Sequence, residues 1–315
     1  MPGRSSQTAS AVALRPVERS KSLPLRRTQR LPGWARQVLS LAAILLVLAV
    51  AWEGLKFVGG DAWRFETAVG SFTHQPPLKI KIASDLNMPH LWDIALAFVR
   101  PAVRNGPPLI SVLWSAALFT FREALAGFLI GALLGLVLGV LFAHSLLLER
   151  GLVPYVVASQ TVPILAIAPM VVVWLRAGWW SVAIISAYLT FFPVTINILR
   201  GLRSPDPRAV ELMHSYAAST AQILWKLRLP AALPYLFTAL KISATTSIVG
   251  AIIGELPSGV RGGLGGAILN FNQYYISGPA KLWATIIMAS IVGIGFFILV
   301  RVAEMLALGG QRAVD

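Results

Sequence analysis

Long apolar runs broken by short polar connections dominate the pattern of this chain. Ala124 to Ala143 holds no charged residue, a length that outruns a buried strand or an ordinary core helix. Six stretches are long and apolar enough to cross a bilayer as helices: 37–57, 115–143, 152–175, 178–199, 232–255 and 281–303. The third and fourth are separated only by a turn around Arg176-Ala177-Gly178. The pattern predicts an all-α integral membrane protein. Two longer polar segments remain, 58–109 and 200–231. In the first, Leu91, Ile94, Ala95, Phe98 and Val99 fall on one helical face. That face suits a helix lying flat at the membrane surface, with docking of an external partner as the alternative.

Composition supports the membrane reading. Of 315 residues 56% are hydrophobic and 13% charged, against about 25% charged in soluble domains, which argues against an ordinary soluble enzyme. The absence of cysteine excludes disulfides, thiol nucleophiles and zinc-thiolate sites. A net charge of +14 would suggest nucleic acid, but its distribution says otherwise. Lys and Arg number sixteen in the 1–36 tail, the 144–151 turn, the 200–231 loop and the C-terminal end, against nine on the other side. The basic side is cytoplasmic by the positive-inside rule, so six spans leave both termini inside. The charge then reads as a topology signal and as contact with anionic membrane lipid, not with nucleic acid.

The expected organisation is a basic cytoplasmic tail over 1–36, disordered through its polar first thirty residues, a first transmembrane helix over 37–57, an external loop with its amphipathic helix over 58–109, a core of five spans over 110–305, and a short cytoplasmic tail over 306–315. A cleaved signal peptide ending at Ala49-Val50-Ala51 competes for the first segment, but its n-region would be unusually long.

The spans carry three kinds of unusual residue. Gly127, Gly131, Gly135 and Gly139 repeat every four positions and leave a smooth stripe for a neighbouring helix. Gln160 and Thr161 precede Pro163, with Pro169 beyond. The prolines remove backbone donors and predict a discontinuous helix of the kind that lines a midplane cavity, or a structural kink. Charges inside spans are Glu123, Lys241 and Glu255, with Arg122 at an edge; each is costly in a bilayer and a functional candidate. Lys241 has the length to snorkel towards the cytoplasm. Glu255, before Pro257 and a glycine-rich run, is a candidate for an external gate or pathway lining, with interfacial placement as the alternative.

The 200–231 loop reads as two short helices, the first opened by Pro207 and the second ended by Pro230. Glu211-Leu212-Met213, three residues, Ala217, nine residues and Leu227-Arg228-Leu229-Pro230 resemble the cytoplasmic signature of bacterial ABC-importer permeases, E-A-A, three residues, Gly, nine residues, I-x-L-P. Glu211, Leu229 and Pro230 match by identity. Leu-Met, Ala217 and Leu227 depart from it, and the missing glycine puts the tight turn there in question. The order of Gly127-Phe128, Pro163, Ala168-Pro169, Gly178 and Glu255 with Gly263-Leu264-Gly265 extends the resemblance over 110–305. It looks closest to the nitrate/sulfonate/taurine branch. Ser215-Tyr216-Ala217-Ala218-Ser219 and Gly254-Glu255-Leu256-Pro257 look more like permeases for pyrimidine or thiamine-precursor uptake.

The resemblance implies a six-helix polytopic permease bundle in the bacterial plasma (inner) membrane. A cytoplasmic coupling helix would seat on a separate ABC ATPase through Glu211, Met213, His214, Ser215, Ala217, Leu227, Leu229 and Pro230. It further implies an extracytoplasmic solute-binding protein and a second permease subunit, a homodimer being expected, around a pathway to which Gln160, Thr161, Pro163, Pro169 and Glu255 are the candidates. The chain itself is expected to be no enzyme and to bind no cofactor or metal, ATP and Mg belonging to the partner ATPase. No G-x4-G-K-[ST], H-E-x-x-H or G-x-S-x-G occurs, and the four histidines lack metal-ligand spacing. The rival is an ion-coupled secondary transporter working without an ATPase, for which only Glu123 and Glu255 could supply an ion site.

Overall fold

The computed structural model describes residues 33–67 and 70–309. The first 32 residues, with the basic tail expected there, and residues 310–315, with Arg312, lie outside the described residues. The chain divides into two units, residues 1–51 and 52–315. Helix α1 (Gly33–Gly59) carries the first apolar run, and everything below concerns the second unit.

Three long helices form its centre: α3 (Leu109–His144), α6 (Trp179–Leu202) and α9 (Leu229–Ser258), flanked by α11 (Pro279–Leu308). Helix α6 is the spine. Along one side it takes the glycine stripe of α3 in parallel: Gly127 faces Ser186 and Ala183, Gly131 faces Ala187 and Thr190, Gly135 faces Phe191 and Val194, and Gly139 faces Thr195 and Ile198. Along the other it takes α9 in antiparallel fashion. Gly250 lies against Ser186, Gly254 against Val182, and Gly201 of α6 against Ala232. A Cβ on Gly131 would stand 2.5 Å from the Ala187 carbonyl oxygen and one on Gly135 2.6 Å from that of Phe191, so the backbones meet only because no side chain intervenes.

Polarity is inverted relative to a water-soluble protein. Leu129, Leu133, Val137, Ile291 and Ile294 are exposed, whereas Ser181, Ser186, Thr190, Thr195, Ser243, Ser247 and Thr285 are buried. Their hydroxyls bond to backbone carbonyls, as Ser186 does to Ser247 across the α6–α9 contact at 2.9 Å. In lipid the apolar side chains need no burial, and small hydrogen-bonded residues allow close packing instead.

Among the described residues, α1 included, five helices are long and apolar enough to cross a membrane, or six spans if one bent pair counts as one. That pair corrects the expected single stretch over 152–175: α4 (Leu146–Ser159) and α5 (Ile164–Leu175) meet at 96°. The chain turns over Gln160–Pro163, where Pro163 cannot donate to the helix behind it and disfavours helical backbone at Val162.

The 58–109 segment is more built than expected. Strands β1 (Trp63–Thr67) and β2 (Gly70–His74) form a hairpin. Helix α2 (Leu91–Val99) does not lie flat with the predicted face inward. It buries Ile94 and Ala97 in a cluster with Leu113, Ala284 and Met288, leaving Ala95 and Val99 exposed. Packing on α3 and α11 has rotated the buried face. The base of the segment is fixed by Lys56, fully buried and paired with Asp85, and by Glu53, which accepts from the Leu91 amide and meets His90.

Lys241 has a partner that the sequence did not indicate: its ammonium donates to Glu304, near the end of α11, at 2.7 and 2.9 Å. An acid on the adjacent helix balances a charge that is costly within a span.

Candidate functional site

Two places gather the chemistry, at opposite ends of the bundle. The first is the connection from α6 to α9. Helix α7 (Pro207–Ser215) begins on Pro207, and Asp206 caps it by accepting from the Arg208 amide at 2.9 Å. It ends in a two-bond turn: the Ala217 amide donates to the His214 carbonyl at 2.9 Å and that of Ala218 to Met213 at 3.0 Å. This is the Schellman pattern, whose residue after the cap takes left-handed backbone and is usually glycine. Here that residue is Ala217, with φ +53°. The tight turn is therefore present despite the missing glycine, at a cost of about 1–2 kcal/mol for a side chain in that region.

Ser219 then caps the next turn reciprocally with Gln222, and α8 (Thr220–Ile223) follows. Pro230 does not end this helix, contrary to expectation. Residues Leu224–Arg228 widen into a π-helical turn and the helix continues into α9, so Thr220–Ser258 is one run of 39 residues. The wider turn accommodates the absent N–H and the ring of Pro230.

The connection has a root and a tip. Ile223 is buried, and Leu224 and Leu229 pack on a cluster of Val194, Ile198, Leu202 and Ala232. Leu227 is half-buried and Pro230 exposed. Arg203 reaches from the end of α6 to both carboxylate oxygens of Glu149 on α4. Glu211, His214, Ser215 and Ala217 are exposed and Met213 is half-buried. In the same connection Leu212, Tyr216 and Trp225 stand 57, 78 and 71% exposed. Sequence reasoning missed these three as contact candidates and missed the Arg203–Glu149 clasp. For the apolar trio the signal was available: large apolar residues in an otherwise polar loop.

The second place is the outer end of α9. Glu255 is 1% exposed, enclosed by protein on every side. Its carboxyl accepts from the Thr120 hydroxyl of α3 at 2.6 Å and from the Gly265 amide in the first turn of α10 (Leu264–Gln273). Thr120 in turn accepts from the Leu264 amide at 2.8 Å. A carboxyl at a helix N-terminus satisfies otherwise orphaned donors. Gly263 and Gly265 lie so close to Glu255 that a Cβ on Gly265 would be 2.7 Å from its Cβ. Glu255 also lines a cavity of about 690 Å3 with Ser115, Arg261, Asn270, Gln273 and Tyr274.

The remaining pathway candidates belong to the α4–α5 bend, whose α5 packs on α9 through Ala168, Val172 and Ile253. Gln160 and Thr161 lie in the α4–α5 turn, Pro163 opens α5 and Pro169 is exposed within it. The Gln160 side-chain nitrogen is buried without a hydrogen-bond partner, and the Tyr188 hydroxyl donates to the Ser159 carbonyl beside it. None of these bonds to Glu255. Among the described residues no cluster of three or more metal-ligating side chains occurs.

Residues 127–307 match the family described as binding-protein-dependent transport system inner membrane component. The chain is 33% identical over 232 residues to the formylaminopyrimidine transport permease protein ThiX of Halalkalibacterium halodurans, covering 70% of this chain and 92% of that one. It is 31% identical to the riboflavin transport system permease protein RibX of Chloroflexus aurantiacus over 62% of this chain and 72% of the relative. A chain from the inward-facing MetNI methionine ABC transporter matches 66% of this chain and 96% of its own, at 21% identity and a TM-score of 0.46.

Proposed function

The chain belongs to the binding-protein-dependent inner membrane components, the multi-pass permeases of ABC importers, and from that premise we propose that its 203–228 connection receives the stroke of a separate ATPase. The observation that carries this reading is a tip of exposed apolar and polar side chains on a rigid root. Leu212 and Tyr216 at the end of α7 and Trp225 in the π-turn are large exposed apolar side chains available to a partner cleft, with Glu211 and His214 on α7 as well. Leu224 and Leu229 seat the turn that bears Trp225 on α6 and α9, so closure of a partner on it tilts helices instead of deforming a loop.

In this assignment the 203–228 end and both termini face the cytoplasm. A second permease subunit, a copy of this chain, completes the pathway. An external binding protein delivers substrate at the Glu255 end, membrane lipid surrounds the exposed apolar faces, and ATP and Mg stay on the ATPase. The substrate is a small organic solute: a pyrimidine or thiamine precursor, given the ThiX relative, with a sulfonate or nitrate-like anion as the alternative. The bend at Gln160–Pro163 and the Glu255 cavity supply the pathway candidates, converted between two access states by the bundle tilt.

The test reconstitutes the chain with its ATPase and binding protein in vesicles. Glu211→Lys and Pro230→Ala are expected to insert normally yet lose ATP-driven uptake at least tenfold. Uptake equal to wild type in both would remove the coupling role, and uptake by the chain alone on an ion gradient would establish a secondary transporter instead.

A further inference from the structure

Glu123 is a buried acid that the permease reading does not use. It lies on α3 three residues beyond Thr120, hence about one turn along the same face, and is 3% exposed. Thr120, one turn before it on α3, bonds Glu255 at 2.6 Å, so the two carboxyls share the buried junction of α3 with α9. Both Glu123 oxygens are buried, and no hydrogen-bond donor reaches either.

The surroundings supply no counter-charge. From α9 the facing group is Glu255 itself, Lys241 being committed to Glu304 of α11. From α6 the one titratable side chain before Arg200 is Tyr188, which donates to Ser159. Lys281 of α11 donates to the Ala102 carbonyl. Arg122 is the next residue on α3, about 100° around the helix, and is exposed, as is Arg261 ahead of α10. Among the described residues no ion pair involves Glu123 or Glu255. The same stretches of α3 and α9 contribute Ala124, Phe128 and Ala251 to a buried apolar cluster with Phe296 of α11. Two adjoining carboxyls in such a place do not both stay ionised without a cation between them.

We propose that Glu123 and Glu255 form a binding site for one proton, carried by Glu123 and donated in a hydrogen bond to Glu255. The division of roles follows from the partners. Glu255 already accepts from Thr120 and Gly265 at the N-terminus of α10, the setting of an ionised carboxylate; Glu123 has no donor and must be one. A metal ion fits poorly, because hard cations need six or more oxygen ligands, while the Glu255 oxygens and the Thr120 hydroxyl are engaged. The proton ties α3 to α9 and, through Glu255, to α10. Its route to water is the cavity that Glu255 lines.

The test is infrared spectroscopy of the full-length chain in lipid nanodiscs at neutral pH. The wild type is expected to show the carbonyl-stretch band of a protonated carboxylic acid, with the intensity of one group per chain. Glu123→Gln should lose it, Glu255→Gln should shift it by replacing its acceptor, and Glu211→Gln, at an exposed acid, should leave it unchanged. A wild-type spectrum without the band overturns the proposal even if Glu123→Gln does not fold. So does a band that survives Glu123→Gln, or one abolished by sodium or potassium at constant pH, which would assign a metal cation.

Discussion

Replacing Gly131 by alanine tests whether the α3–α6 contact holds the bundle together. The added Cβ would stand 2.5 Å from the Ala187 carbonyl oxygen and 2.6 Å from Thr190 Cβ, where ordinary contact begins at 3.4 Å. The shortfall of 0.9 Å (3.4 less 2.5) is against backbone, which cannot swing aside, so α3 must move outward. A gap of about 0.5–1 Å forfeits a quarter to a half of each contact's attraction. If the interface around Gly131 equals one buried leucine, about 50 contacts of ~0.15 kcal/mol, losing a third of it costs roughly 2.5 kcal/mol. That agrees with the 1–3 kcal/mol typical of overpacking. Gly131→Leu should prevent assembly. Because one outward shift accommodates neighbouring sites, Gly131→Ala with Gly135→Ala should cost less than the sum of the two. The measurement is thermal unfolding in detergent, with Gly295→Ala as control, since nothing lies within 4 Å of a Cβ there. Equal melting temperatures for Gly131→Ala, Gly295→Ala and wild type would refute the close-packing argument.

Other outcomes follow from the same geometry. Ala217→Gly should stabilise the α7 turn by about 1 kcal/mol, because glycine adopts φ +53° without the Cβ penalty; slower amide exchange at Ala218 would register it, and no change would mean that the turn is unstrained. Lys241→Met should destabilise by about 3 kcal/mol by stranding Glu304, whereas Lys241→Met with Glu304→Met should recover most of the loss; a double variant as unstable as the single would show that the pair itself is required. Thr120→Val should cost about 2 kcal/mol, removing a donor to Glu255 and orphaning the Leu264 amide, with Thr120→Ser restoring it. Unfolding midpoints decide the last two.

What was legible in the chain was periodic or local. The apolar runs announced the long helices, since a 20-residue uncharged stretch has few other uses. The four glycines of α3 announced a smooth face, but not that α6 would meet it, because partner choice depends on the whole bundle. Gly250 and Gly254 carried the same four-residue spacing on α9 and were passed over among Ser and Thr residues that proved to be buried packing partners. Glu255 stood out by its charge. Its dependence on Thr120, 135 residues away, left no local mark, nor did the pairings of Lys241 with Glu304 and Arg203 with Glu149. The hairpin had a faint signal in the alternation of Trp63 and Phe65 and in Gly70. Pro230 misled because its usual effect was absorbed by a π-turn, which no local rule foretold.

The unbroken helix from Thr220 to Ser258 has a mechanical consequence. Trp225 at one end and Glu255 at the other are thirty positions apart on a single rod, about 45 Å at 1.5 Å per residue. The places where it can flex are the π-turn that bears Trp225 and Pro234 a little further along. Between Pro234 and Pro257 the run is regular, so in the proposed stroke a tilt begun near its cytoplasmic end reaches Glu255 along one lever.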